Sequence, residues 1–360
     1  MTSSRGAWLA LGIVGAAAVL LVIVRDALRR YMLPLALIGV LAAFIVVVQM
    51  GDALAPALDN LLGAVPVGNT AGSRFTVFRQ AGNLVQDYYF TGGGLGVFPM
   101  VFSTYALLID VPFLTHAHNL FLEIWIEQGL LGFVAFAWLI VEFYLWCQRI
   151  ATNTCPGGRC QGKRMNWLML GGIAATTVML LHGFVDVGLY SSRALPLMFV
   201  PMGVALASQQ LTVNSEQAGR IQKSAIGNPA GALRSRQSKT VSAVILLGAL
   251  ILPNALSWNA LAGLWYANLG SVAQTRVELG QYRWPQRLVE NVRREGGMSE
   301  VEEYFRQALA FDAGNVTANQ RLGTMALARG EHDAALNCLQ AAYRRDPSNP
   351  VTERLLSKTR

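Results

Sequence analysis

The stretch TGGGLGVFPMVFSTYALLIDVPFLTHAHNLFLEIWIEQGLLG, Thr91–Gly132, decides the fold class of this chain. It begins with a run of glycines, reaches His116 and His118, and continues without interruption into an apolar helical segment that carries Glu123 and Glu127. Ionisable groups are costly inside a bilayer and usually mark a functional site there. The stretch therefore predicts a membrane helix whose entry point carries chemistry.

The composition of the whole chain is typical of a polytopic membrane protein. Hydrophobic residues make up 53% of the 360 and charged residues 14%, which excludes an ordinary soluble protein of this length. The net charge of +8 comes mainly from Lys and Arg in loops between apolar segments, where these residues indicate topology. No basic patch is interleaved with stacking aromatic residues, so we expect no nucleic-acid partner.

Hydropathy predicts an all-α bundle of about six membrane spans, the fifth of them short. The predicted spans are Trp8–Val24, Leu33–Met50, Leu120–Trp146, Trp167–Gly188, Ala194–Ala207 and Val241–Trp258. Basic loops follow the first, third and fifth of these spans, and the positive-inside rule places such loops in the cytoplasm. We therefore predict a multi-pass protein of the inner membrane with both termini and the long segment before the third span on the outer side.

These assignments divide the chain into six regions. They are two amino-terminal spans (1–50), an outer loop with arginine and glycine segments (51–118), the spans of the central part (119–207), a flexible basic cytoplasmic loop (208–240), the last span (241–258) and a soluble extracytoplasmic domain (259–360).

The soluble domain contains an internal repeat. FRQALAFDAGN from Phe305 and LQAAYRRDPSN from Leu339 match each other at the 34-residue tetratricopeptide period. The second unit resembles that family in the order and spacing of Leu322-Gly323, Gly330, Ala335, Leu339, Ala342 and Pro347. The resemblance implies a small tetratricopeptide-type helical domain with a concave groove, and we expect a protein partner to bind there.

A second resemblance concerns the membrane part. HNLFLEIWIEQGLLG, from His118 to Gly132, resembles the signature of the O-antigen ligase family, in which a histidine and an amide residue precede two spaced glycines. The upstream GSRFTVFRQAGNLVQDYYFTGGGLGVF also resembles that family, with Arg74 at its arginine position. The family comprises polytopic, metal-independent glycosyltransferases. They transfer a glycan from a polyprenyl diphosphate carrier to an acceptor on the outer side of the membrane.

The resemblance implies an enzyme with His118 and Arg74 as catalytic residues and with no cofactor. It implies a polyprenyl diphosphate-linked glycan, a lipid or protein acceptor and membrane lipids as partners. Candidate substrate-binding residues are Arg79, Arg193, Gly94, Gly96, Asn119, Glu123, His182 and Asp186.

The residues themselves suit this chemistry. Guanidinium groups bind phosphate oxygens well, and a histidine at the membrane interface can act as a general base. The glycines after Thr91 could form an anion-binding nest of backbone N–H groups or an ordinary tight turn. Glu123 is expected to polarise His118 or to pair with an arginine, and Asp186 shares a helical stripe with His182 and faces the same compartment as His118.

A zinc site is the alternative chemistry for the same region. His116 and His118, together with His182 and Asp186, could supply four ligands. Nothing in the sequence fixes the two pairs close together, and the resembled family needs no metal. We therefore expect no metal site.

Two other functions fit the sequence. A polymerase that joins carrier-linked repeat units would use the same kind of donor. Members of the family usually have more spans before the outer loop than the two found here, so a truncated, non-catalytic membrane anchor that displays the repeat domain also stays open.

Overall fold

The computed structural model describes residues 70–152, 167–184, 186–187, 190, 195–208, 258–295 and 297–359. Within these ranges the chain is helical, apart from turns and one isolated bridge between Arg283 and Arg287. The all-α prediction is therefore confirmed for the described residues. The predicted spans within 1–50 and 241–257, and the basic loop from residue 209 onward, lie outside them.

The helices follow one another with short connections through most of the described chain. They are α1 (Thr70–Asp87), α2 (Phe98–Val101), α3 (Leu120–Thr152), α4 (Trp167–His182), α5 (Leu195–Ser208), α6 (Trp258–Gln281), α7 (Val289–Glu295), α8 (Ser299–Phe311), α9 (Val316–Arg329), α10 (His332–Arg345) and α11 (Pro350–Ser357). A π-helical turn, Phe102–Leu107, continues α2 and ends at Leu108, which has a left-handed backbone.

Helix α3 is the described element that can cross a bilayer, because Leu120–Ile150 is both long and apolar enough. Beyond Gly129 it exposes large apolar side chains, including Leu131 and Trp138, as expected of a surface that faces lipid. Helices α4 and α5 are apolar but shorter than α3. The third predicted span is thus matched by a helix of sufficient length, and the count of six spans stays a prediction.

Helices α6–α11 form a closely packed unit with its own apolar core. Helix α6 packs on α8, and α9 packs on α10. Small residues permit these approaches, since a Cβ on Gly323 would lie 2.8 Å from Cγ of Leu339 and one on Gly270 would lie 2.7 Å from the ring of Phe305. The described carboxy-terminal helices are therefore packed in pairs. Their assignment to the tetratricopeptide family stays a prediction.

This unit rests on the end of α1 and on the π-helical turn. Asp87, at the end of α1, is buried in an ion pair with Arg321 and accepts a hydrogen bond from the hydroxyl of Thr317 at 2.7 Å. The guanidinium of Arg321 also lies 3.3 Å from the centre of the Tyr105 ring. Buried charges need such partners, because an unpaired ion in the interior costs several kcal/mol, on the order of the net stability of a domain.

A second buried ion pair lies beside the first. Arg293 donates to both carboxylate oxygens of Glu278, at 2.7 and 3.0 Å, and the hydroxyl of Tyr105 donates to Glu278 at 2.8 Å. Burial raises the pKa of Tyr105 well above its usual range, so its hydroxyl keeps the proton that it donates. Arg354 adds a further link by donating to the carbonyl of Ala106 at 2.5 Å. The carboxy-terminal helices and residues 87–107 therefore share one polar core.

Replacing Arg321 tests this joint core. We expect Arg321→Met to lower the free energy of unfolding by about 3–5 kcal/mol, because it leaves the Asp87 carboxylate buried and unpaired. The matched control is Arg306→Met, which removes an arginine from an exposed pair with Glu302 and should cost about 0–1 kcal/mol. Denaturant unfolding of the purified full chain in detergent measures both. Equal, small losses for the two variants would contradict the buried pairing.

Candidate active site

The amino terminus of α3 is tied to the carboxyl end of α4. The side-chain oxygen of Asn119 accepts hydrogen bonds from two N–H groups of the first turn of α3, at 3.0 and 3.1 Å, which makes it an N-cap. Its amide donates to the carbonyl of Phe184 at 3.2 Å, and the N–H of Leu120 donates to the carbonyl of Gly183 at 2.8 Å. Asn119, proposed from the sequence as a substrate contact, therefore makes bonds that hold two segments together.

This junction brings both histidines of the HAH motif to Asp186. Nε2 of His116 and Nδ1 of His118 each lie 3.5 Å from Oδ1 of Asp186. The two imidazole rings meet edge to face, with their centres 4.4 Å apart. Oδ1 of Asp186 therefore faces one imidazole nitrogen of each histidine. The N–H of Val187 donates to the same oxygen at 2.9 Å.

The backbone of His118 is unusual. Its φ of 54° is left-handed, a conformation that residues with a Cβ adopt at a cost of about 1–3 kcal/mol and mainly at functional sites. The Nδ1 atom of His118 is buried and makes no hydrogen bond among the described residues. The surrounding contacts therefore hold this imidazole in a position that its own backbone does not favour.

Glu123 has a different position from the expected one. Its carboxylate accepts a hydrogen bond from the N–H of Ala117 at 2.5 Å, and its side chain is 1% exposed. It therefore fixes the backbone between the two histidines, and the carboxylate that faces the imidazole of His118 is that of Asp186. The sequence placed Asp186 and His118 on the same side of the membrane but gave no signal that they touch.

The glycine turn packs against α3 in the described structure. The N–H groups of Gly93 and Gly94 donate to backbone carbonyls of α3 at 2.8 and 2.9 Å. That of Gly96 donates to the Glu127 carboxylate at 2.9 Å. Because these donors are occupied, Gly94 and Gly96 cannot offer them to a diphosphate without breaking the contact with α3.

The other side of this contact is a break in α3. Gly129 has a φ of 67° and a ψ of −169°, so the helix is interrupted there. A Cβ on Gly129 would lie 2.3 Å from the carbonyl oxygen of Phe90, and a Cβ on Gly92 would lie 2.3 Å from that of Glu127. The two glycines of the turn and the break therefore let two backbones touch, and neither position has room for a side chain.

The structure describes the three candidate arginines to different extents. Arg79 lies exposed on α1. Arg74 lies on the same helix, and its side chain is outside the described part. Arg193 lies outside the described residues altogether. His182 is the last residue of α4 and is not a member of the His116, His118 and Asp186 cluster.

A model of the O-antigen ligase family matches residues 1–137. Residues 1–137 are therefore similar to an O-antigen ligase domain. The match includes α1, the glycine turn, both histidines of the HAH motif and the break in α3, and it confirms the resemblance over that range. Asp186 and the helices from α4 onward lie beyond it. Comparisons with curated proteins and with solved structures found no match.

The O-antigen ligase match suggests membrane glycan ligase activity for the domain. A glycan and a lipid-linked substrate are the partners that such a family implies. The match does not extend to the repeat part of the chain.

The backbone contact between the glycine turn and α3 can be tested by adding single methyl groups. Gly92→Ala and Gly129→Ala should each lower the free energy of unfolding by about 2–6 kcal/mol, since a left-handed backbone costs about 1–3 kcal/mol and overpacking adds about 1–3 kcal/mol. Gly82→Ala is the matched control, because its Cβ would meet nothing within 4 Å on helix α1. That control should be neutral or stabilising by up to about 1 kcal/mol. Similar thermal stability of all three variants would contradict the close approach.

Proposed function

We propose that this chain is a membrane glycan ligase that transfers a glycan from a polyprenyl diphosphate carrier to an acceptor hydroxyl on the outer side of the membrane. His118 is the general base of the reaction, and Asp186 positions it. The observation that supports this assignment best is the contact of a strained His118 with Asp186 beside an O-antigen ligase signature.

The transfer needs one proton acceptor and one site for the leaving group. The acceptor oxygen forms a bond to the anomeric carbon of the glycan as its proton passes to His118. The bond from that carbon to the phosphate oxygen breaks, and its electron pair leaves with the carrier diphosphate. Attack and departure on opposite faces of the sugar would invert the anomeric configuration.

The contact with Asp186 determines which nitrogen of His118 can act. A neutral imidazole carries its proton on one nitrogen and accepts at the other. A carboxylate opposite Nδ1 favours the tautomer with the proton on Nδ1, which leaves Nε2 free to take the acceptor proton. Asp186 therefore has the role that sequence reasoning gave to Glu123.

The leaving diphosphate requires positive charge. Arg74 and Arg79 both lie on α1, the helix that leads into the glycine turn, and Arg193 is the third candidate. Guanidinium forks bind phosphate oxygens in bidentate geometry, and such contacts strengthen as charge develops on the leaving group. We assign Arg74 to this role, with Arg79 and Arg193 as supporting contacts, and the transfer written in this way needs no metal.

The carboxy-terminal helices have a different role. Their buried contacts with Asp87 and Tyr105 support a function as an outer cap that holds the loop before His118 in place. The exposed groove is left to recruit an acceptor or a protein partner. A polymerase would share the donor chemistry, and the product separates the two: loss of a ligase leaves unattached polymer, whereas loss of a polymerase leaves single repeat units on the acceptor.

Substitution of the dyad tests the proposal. His118→Ala should reduce transfer from a lipid-linked donor in isolated membranes by about 10²–10⁴-fold, the usual contribution of a general base. Asp186→Asn should give a smaller reduction, because it orients the base and does not take the proton. His332→Ala, on the exposed start of α10, is the matched control and should transfer at the wild-type rate.

Two results would contradict the roles proposed for these residues. If His118→Ala transfers as fast as His332→Ala at equal protein levels in the membrane, His118 is not the base. If Arg74→Ala also transfers normally, Arg74 does not hold the diphosphate.

A further inference from the structure

We propose that His116, His118 and Asp186 bind a divalent cation of the zinc class, and that the bound ion withdraws His118 from its role as base. The first part concerns binding alone. The second part rests on the proposed function, because it needs His118 to be the group that accepts the proton.

The spacing of the three side chains fits a small tetrahedral ion. Zinc bonds to imidazole nitrogen and carboxylate oxygen are about 2.0–2.2 Å long, so neighbouring ligand atoms around it lie about 3.3–3.6 Å apart. Both histidine nitrogens lie 3.5 Å from Oδ1 of Asp186. All three ligand atoms lie within 4.8 Å of one another. The two histidines of the HAH motif and Asp186, which the sequence could not bring together, are therefore close enough to share one ion.

The orientation of the donors agrees with this reading. Nδ1 of His116 lies 2.7 Å from the hydroxyl of Thr115, a contact that turns the ring so that Nε2 points to Asp186. Metal-binding histidines commonly make such an outer contact through the nitrogen that does not bind the ion. Nδ1 of His118 is a buried polar atom without a hydrogen bond among the described residues, and it faces the same oxygen.

The ligand set selects the class of ion. Two imidazoles and one carboxylate suit zinc and other borderline transition metals, whereas calcium and magnesium prefer sites built from oxygen. Three protein ligands leave a fourth position for water or another small ligand. The side chains are 25–29% exposed, so an ion can enter from solvent.

Metal binding by His118 and catalysis by His118 exclude each other, because they require the ring proton on different nitrogens. A metal bound at Nδ1 of His118 requires that nitrogen to be unprotonated, so the proton of the neutral ring lies on Nε2. Nε2 is then a donor and cannot take the proton of the acceptor hydroxyl. The same residues therefore have one arrangement that transfers and another that holds an ion.

Cobalt(II) is the probe for binding, because its visible absorption reports the coordination geometry. The purified full chain in detergent should show tetrahedral absorption bands on titration with cobalt(II), and zinc should displace them. His116→Ala should weaken cobalt(II) affinity by more than about 10-fold. Losing even a residue that only hydrogen-bonds to a metal ligand typically weakens metal affinity by about 10–100-fold. Asp186→Asn should do the same as a nearly isosteric change, and His332→Ala is the control with unchanged affinity. Equal affinity in all variants, or octahedral bands only, would overturn the site.

Zinc sensitivity of transfer tests the second part. The rate of glycan transfer with zinc, divided by the rate without zinc, should be well below one for the wild type and near one for His116→Ala. A wild type that is saturated with zinc by the cobalt displacement assay yet transfers at full rate would overturn the exclusion. A wild type that never transfers, with or without zinc, would sink the proposed function and leave the binding result standing.

Discussion

Buried charges at the contact between residues 87–107 and the carboxy-terminal helices are the constraint on which the rest of the described structure depends. Asp87 faces Arg321, and Glu278 faces Arg293, with the hydroxyl of Tyr105 between the two pairs. Breaking a pair by losing one partner leaves an ion unpaired in the interior, which costs about 3–5 kcal/mol. The two parts of the chain can therefore pack only in the register that pairs these groups. This packing therefore fixes the position of the π-helical turn, which lies between Asp87 and the histidines along the chain.

The constraint reaches the candidate site through a short path along the backbone. After the π-helical turn the chain runs to His116 and His118, and Glu123 fixes the N–H of the residue between them. The glycine turn is bonded to the break in α3 on one side, and the cap of α3 is bonded to the end of α4 on the other. The strain in the left-handed backbone of His118 is tolerated because hydrogen bonds hold the residues on both sides of it in place. Strain at a functional residue is typical of sites where the surroundings determine the geometry.

Much of this architecture follows from sequence pattern, and the missing parts share one physical cause. An unbroken apolar run predicted α3, and the 34-residue period predicted that α8 to α10 pair. Helical spacing shows which residues share a face but not which two faces meet, so Asp186 could not be distinguished from Glu123 as the partner of His118. The stripe Ser271, Gln274, Thr275 and Glu278 on α6 resembles a solvent-facing surface in sequence, yet it is buried. Likewise, the backbone N–H groups of the glycines that suggested an anion site are occupied by hydrogen bonds to α3. Sequence pattern does not show such a tertiary contact.

Hydrogen exchange in a Glu278→Gln variant tests the joint core most directly, because the change keeps the shape of the side chain and removes only its charge. If residues 87–107 and the carboxy-terminal helices form one cooperative unit, the amides of Phe98–Leu107 and of Val289–Glu295 should both exchange faster, although the substitution lies on α6. Helix α4, which makes no described contact with Glu278, should exchange as in the wild type. Faster exchange confined to α6 and α7, with Phe98–Leu107 unchanged, would contradict the account.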